Sequence, residues 1–299
     1  MTVGTVLRGT TPSTPTAPCA SNRAFAGTLF ALAAALIANT VLGPLVTGVI
    51  EYPISGSLLN QVIGLEVVSV GLVVPITVIA GALALHGHRA AALLGFGPAA
   101  YTGYMFLQYV VGPEYSTYTV VAFFHMAIFT LSCAIAVWAW SLGSRQPLPQ
   151  LTVRRRRLYG AILLLLAAFI LTRYLGAVAG SVAGGPLPVE FAAARTFYWS
   201  IFLLDLGVVV PATVAAGIGL FRDARAAHTA LYAVMIWYAL VPPSVAAMSA
   251  TMVINGDPYA APSQTLLLVL VSVVFAVLAA WVYSPLLRTP SGSPITRGG

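Results

Sequence analysis

The sequence predicts an all-α fold, a polytopic transmembrane helical bundle of about eight spans arranged as two parallel four-helix repeats. Three observations predict it. Of 299 residues, 59% are hydrophobic and only 7% are charged, against roughly 25% charged in a soluble domain. Apolar runs of about 20 residues or more recur along the chain, each long enough to cross a bilayer as a helix. They lack the period-2 alternation of a barrel wall. Finally, "LEVVSVGLVVPITVIAG" at Leu65 to Gly81 returns in altered form as "LLDLGVVVPATVAAG" at Leu203 to Gly217.

The elements follow in order. Residues 1–23 are rich in Thr, Pro and Ser and read as a disordered cytoplasmic tail. Spans are expected at 24–50, 60–85, 90–111 and 117–142, forming a first repeat within 24–145. A basic cytoplasmic linker, 146–157, carries "RRRR" at Arg154 to Arg157. Spans at 158–182, 196–221, 228–253 and 264–287 make the second repeat, 158–287. The closing "RTPSGSPITRGG", 288–299, reads as a second disordered cytoplasmic tail. The first apolar stretch is too long for a signal-peptide core and reads as a retained span.

Arginine sets the direction. All fourteen basic residues are arginine. With both termini inside, twelve of them fall in cytoplasmic segments, leaving Arg173 within a span and Arg195 at an outer edge. Glu51, Glu114, Glu190 and Asp257 fall in outer loops. Such asymmetry is the positive-inside pattern. The net charge of +7 therefore marks topology and does not indicate a nucleic-acid partner. Cys19 and Cys133 lie in the tail and in an apolar segment, so no disulfide framework is expected.

An offset of 136 residues lays Pro211 on Pro75 and carries 71–91 onto 207–227, with eleven of twenty-one positions identical. Thr77/Thr213, Gly81/Gly217 and Arg89/Arg225 are among them. Four spans per copy is an even number, so the copies face the same way, related by a pseudo-two-fold axis along the membrane normal. Pro75 and Pro211 interrupt their helices near mid-depth, where freed carbonyls mark a hinge or a binding point.

Charges inside a membrane face partners or water. At 1.5 Å per residue, Arg173 stands about 24 Å above Arg157, Asp205 about 26 Å above Arg222, Asn39 about 24 Å above Arg23 and Glu66 roughly 34 Å above Arg89. Similar heights would let Arg173 and Asp205 pair. Tyr101, Tyr104 and Gln108 share one face of the third span by their i, i+3, i+7 spacing. His125 in "AFFHMAIF" lies about 10 Å below the outer end of the fourth span, and Tyr198 is seven residues before Asp205. Asn39, Glu66, Tyr101, Tyr104, Gln108, His125, Arg173, Tyr198 and Asp205 thus outline a polar vestibule in the outer half.

No Walker loop, Rossmann glycine pattern, zinc-protease helix or nucleophile elbow is present. "HGH" at His86 to His88 lacks a third ligand, and no cofactor is expected. "NQVIGLE" at Asn60 to Glu66, "LLDLGVVVP" at Leu203 to Pro211 and the Y-x-x-Y of Tyr101 and Tyr104 resemble a group of bacterial multi-pass membrane proteins. That group has an Asn-Gln…acidic early helix and a later Leu-Asp-Leu-Gly before a proline. The likeness covers most of 55–250 and implies the fold and a bacterial plasma-membrane location. Leu65 stands where the group has Gln.

Three functions are open at this point. One is a transporter or small-molecule-binding protein taking a small-molecule or ion ligand from the extracytoplasmic side. Another is a non-catalytic accessory subunit with a membrane-protein partner. The third is a membrane-embedded enzyme using Glu66, His125 and Asp205 as acid–base groups. The lipid bilayer is a partner in all three.

Overall fold

A computed structural model describes residues 20–185, 191 and 194–288. The expected tails fall outside these residues, except that helix begins at Ala20 and ends at Arg288. Among the described residues there is no strand, and eight helical stretches are long and apolar enough to cross a membrane.

The chain forms α1 (Ala20–Leu42), α2 (Gly56–Val68), a π turn (Ser69–Val73), α3 (Val74–Leu85), α4 (Ala90–Val111) and α5 (Val120–Arg145). It continues with α6 (Val153–Val182), α7 (Arg195–Leu204), a second π turn (Asp205–Val209), α8 (Val210–Phe221), α9 (Arg225–Ile254) and α10 (Pro262–Arg288). Two boundaries differ from expectation. α1 stops at Leu42 rather than near residue 50, because Gly43–Pro44 follows and the chain folds back through Gly48 at φ 67°. Gly48 N–H returns to the Gly43 carbonyl and Ile50 N–H to the Leu42 carbonyl, both satisfying groups at the helix end. α6 starts before its arginines, because the Thr152 hydroxyl caps it by accepting Arg155 N–H at 3.3 Å. Arg154 to Arg157 are therefore its first turns, not a linker.

The two proline spans share local structure at the same 136-residue offset. Each π turn precedes a proline and closes on an i→i+5 bond, Val74 N–H to Ser69 O and Val210 N–H to Asp205 O. Proline has no N–H and its ring crowds the carbonyl four residues back; one wider turn upstream relieves both problems. Thr77 and Thr213 hydroxyls then donate to Val73 and Val209 carbonyls, each at 2.7 Å. Both spans end in the same cap, with left-handed Gly87 (φ 63°) and Asp223 (φ 58°). There His88 N–H reaches Leu83 O and Ala224 N–H reaches Gly219 O, each at 2.9 Å.

Packing follows the same pattern. α1 lies on α3, α3 on α4 and α4 on α5; α6 lies on α8, α8 on α9 and α9 on α10. α4 and α9 are the most buried spans and meet at the centre, while α6 and α10 are the most exposed. The groups of helices also meet along α2–α9 and α4–α7. At the first of these seams Gly64 lets the α2 backbone approach the backbone of Ala247 and Met248. Asn60 on α2 donates to Asp257 Oδ2 (3.0 Å) and accepts from Asn255 Nδ2 (2.7 Å), and its carbonyl accepts from the Thr251 hydroxyl (2.7 Å).

Candidate functional site

The nine polar residues singled out from sequence divide into two clusters with a few outliers. The first cluster lies among α1, α2, α4, α5 and the 43–55 loop. His125 is fully buried on α5, and its Nε2 donates to Asn39 Oδ1 on α1 at 3.0 Å. The Tyr52 hydroxyl stands 3.5 Å from the same nitrogen, and the two rings stack at 5.7 Å with only 9° between their planes. Tyr109 and Phe106 of α4 pack against the imidazole from the side. The Tyr109 backbone lies beside the ring, yet Nδ1 has no hydrogen bond of proper geometry.

Glu66 completes this cluster. The turn that opens at Gly43–Pro44 after α1 aims Leu45 N–H toward it, and Oε2 accepts that bond at 2.9 Å. Oε1 has no partner and lies over Gly43, where any Cβ would collide with the carboxyl. Burial pushes the Tyr52 phenol far above its ordinary range, so it remains a hydroxyl. Tyr115, in the α4–α5 loop, is pushed up to about 12 by burial.

The second cluster joins α4, α6 and the second π turn. Asp205 accepts from Tyr104 on α4 (2.8 Å) through one oxygen and from Tyr174 on α6 through the other. The similar heights of Arg173 and Asp205 suggested an ion pair. Among the described residues the only ion pairs are those of Asp223 with Arg156 and His228. Arg173 is exposed, its guanidinium 5.8 Å from the Tyr174 ring centre. One residue along a helix is a turn of 100°. Tyr174 therefore points inward where Arg173 points out.

Tyr101 and Gln108 are buried on α4 as the spacing predicts, but Tyr101 bonds Ser244 on α9 at 2.7 Å rather than joining either cluster. Tyr198 is half-buried against Phe191 and Phe202. Glu66 and His125 share a cluster and Asp205 does not belong to it, with no hydrogen bond joining the two groups among the described residues.

Two depressions open on the arginine-poor face. One, of about 310 Å³, has Tyr52 on its wall together with Glu51, Tyr115 and Thr119. The other, of about 600 Å³, is shared by both sets of four spans. Pro53, Ser55 and Leu58 line one side, Gly112 and Glu114 another, and Ala194 and Arg195 the third. The Thr196 hydroxyl donates to Glu114 Oε1, tying the α4–α5 loop to α7. Neither depression is legible in the sequence, although Glu114 falls in an outer loop and Arg195 at an outer edge.

His86 to His88 form the α3 cap, where His88 Nδ1 accepts Ala90 N–H at 3.1 Å. Among the described residues no three His, Cys, Asp or Glu side chains gather in a metal-binding group. Comparison with protein-family profiles, with curated proteins and with solved structures finds no match. The chain is an integral membrane protein by its eight apolar helices.

Proposed function

We propose that this protein is a transporter or small-molecule-binding protein that takes a small polar ligand at its arginine-poor, extracytoplasmic face, with both termini cytoplasmic. One observation carries the reading: a depression of about 600 Å³ is lined from both sets of four spans and presents Glu114 and Arg195 together. The depression lies at the outer ends of the spans, where the two sets of four meet, and a volume of this order holds a small molecule. Opposite charges in one depression favour a zwitterion. The paired π turns supply points at which each proline span can bend.

Glycine, succinate and choline serve as probes of the zwitterionic, anionic and cationic classes in a thermal-shift assay on purified protein. Stabilisation by glycine that disappears in Arg195→Ala and Glu114→Gln supports the reading, since a ligand of the native state raises the midpoint by mass action. No stabilisation by any class, together with no uptake into proteoliposomes, refutes it. The alternatives lack an observation of their own. Lipid covers the bare apolar faces of α6 and α10 as well as a protein partner would, and the enzyme reading needs Asp205 beside Glu66 and His125, whereas Tyr104 and Tyr174 hold it elsewhere.

A further inference from the structure

The cluster beneath Tyr52 lies apart from the ligand depression and raises a separate question. Glu66 is 1% exposed and receives a single hydrogen bond, from Leu45 N–H. Its second oxygen has no partner, and no arginine lies within ion-pair distance among the described residues. The carboxyl sits at the C-terminal end of α1, against Gly43 and the Asn39 carbonyl. Helix C-termini carry partial negative charge, the wrong sign for a carboxylate. An unpaired buried anion is strongly disfavoured, and one proton neutralises it.

Among the described residues the surroundings supply nothing else that would neutralise it. From α1 comes Asn39, from the loop Leu45 N–H and the Tyr52 phenol, from α4 Tyr109, and from α5 His125. All are uncharged as bonded, with His125 Nδ1 bare. A metal ion would need several more oxygen or nitrogen ligands than this group offers. Tyr52 is the residue that touches both worlds, lining the outer depression while contacting His125.

We infer that Glu66 is a proton-binding site, loaded from the arginine-poor face by way of Tyr52. Loading forms one O–H bond on the carboxylate and breaks one on a hydronium in the depression; nothing is oxidised or reduced. The proton ends on the unpartnered oxygen of Glu66, and Tyr52, on the wall of the depression with its hydroxyl beside His125 Nε2, is the residue through which it enters. The site goes beyond the ligand depression and stands whether or not glycine binds there.

Full-length protein in lipid nanodiscs tests this by infrared difference spectroscopy between about pH 5 and about pH 9. The expected result is a protonated-carboxyl C=O band that shifts in D2O, is lost in Glu66→Gln and is kept in Asp205→Asn. Glu66→Gln preserves the shape of the neutral carboxyl. Should that variant fail to fold, Tyr52→Phe retains the carboxyl, and the band's hydrogen–deuterium exchange should slow by at least about tenfold. Absence of the band in the unmodified protein, or its persistence in Glu66→Gln, overturns the site. Exchange at the unmodified rate in Tyr52→Phe overturns the route.

Discussion

Gly64→Ala is the sharpest probe of how the bundle is held together. A Cβ at Gly64 would stand 2.6 Å from Ala247 C, Ala247 O and Met248 N, whereas ordinary contact begins at 3.4 Å. These are backbone atoms of α9, so no side chain can swing aside, and α2 and α9 must part by about 1 Å. Overpacking a tight site costs about 1–3 kcal/mol, and contact with backbone on one side puts this site at the upper end. Parting the helices also strains the three bonds that Asn60, one turn away, makes with Thr251, Asn255 and Asp257. Interhelical bonds of this kind average about 0.6 kcal/mol. The expected loss is on the order of 3–5 kcal/mol, or roughly a 10 °C fall in melting midpoint. Size-exclusion thermal melting in mild detergent reads it, with Gly27→Ala as control because a Cβ there meets nothing within 4 Å. If Gly64→Ala melts with the unmodified protein, the close α2–α9 approach is not what fixes the seam.

Three further outcomes are expected. Tyr104→Phe and Tyr174→Phe should each destabilise by about 1–2 kcal/mol, since each removes a hydroxyl from Asp205, and a double-mutant cycle should show coupling because the two share one carboxylate. Arg89 donates through Nε and Nη2 to the Leu286 and Pro285 carbonyls at the end of α10, both at 3.3 Å; Arg89→Ala should therefore loosen that end and speed tryptic cleavage at Arg288. Asp223 is held below the ordinary carboxylate range by hydrogen bonds from Arg156 first and His228 second. A depressed folded-state value means its stabilising share is present above about pH 4 and is lost as pH falls through the folded value, so Asp223→Asn should flatten the acid limb of a stability–pH curve and leave the neutral region lower.

The spans were legible because hydropathy and arginine placement act over twenty residues at a time and average out local exceptions. The first loop was not. Leu45, Val46, Val49 and Ile50 continue the apolar run past Leu42, and only Gly43–Pro44 signals that helix has ended. Missing that turn hid the Leu45 amide that bonds Glu66 and the Tyr52 ring and hydroxyl that meet His125. Height estimates placed Arg173 level with Asp205 but carry no azimuth, and azimuth decided the matter: the neighbour Tyr174 faces inward. The α4 face of Tyr101, Tyr104 and Gln108 was readable from spacing. Which partner each would meet was not, because Ser244 and Asp205 belong to helices more than one hundred residues away.

The 136-residue offset separates scaffold from chemistry. Prolines, π turns, threonine hydroxyl bonds and left-handed caps coincide between 69–91 and 205–227. The polar clusters do not. The offset sets Glu66 against Phe202, Asp205 against Ser69, Asn39 against Leu175, His125 against Ala261 and Tyr104 against Leu240. A backbone that must turn past a proline needs the same device in either span, so those features recur together. A buried carboxyl is costly wherever it sits, and each of the two proline spans carries its own with different neighbours. Glu66 keeps one donor and an open oxygen, while Asp205 is bonded through both. The two acids are thus not one function performed twice: the half-satisfied carboxyl has a reason to take a proton, and the doubly bonded one has a reason to hold α4 and α6 to the π turn.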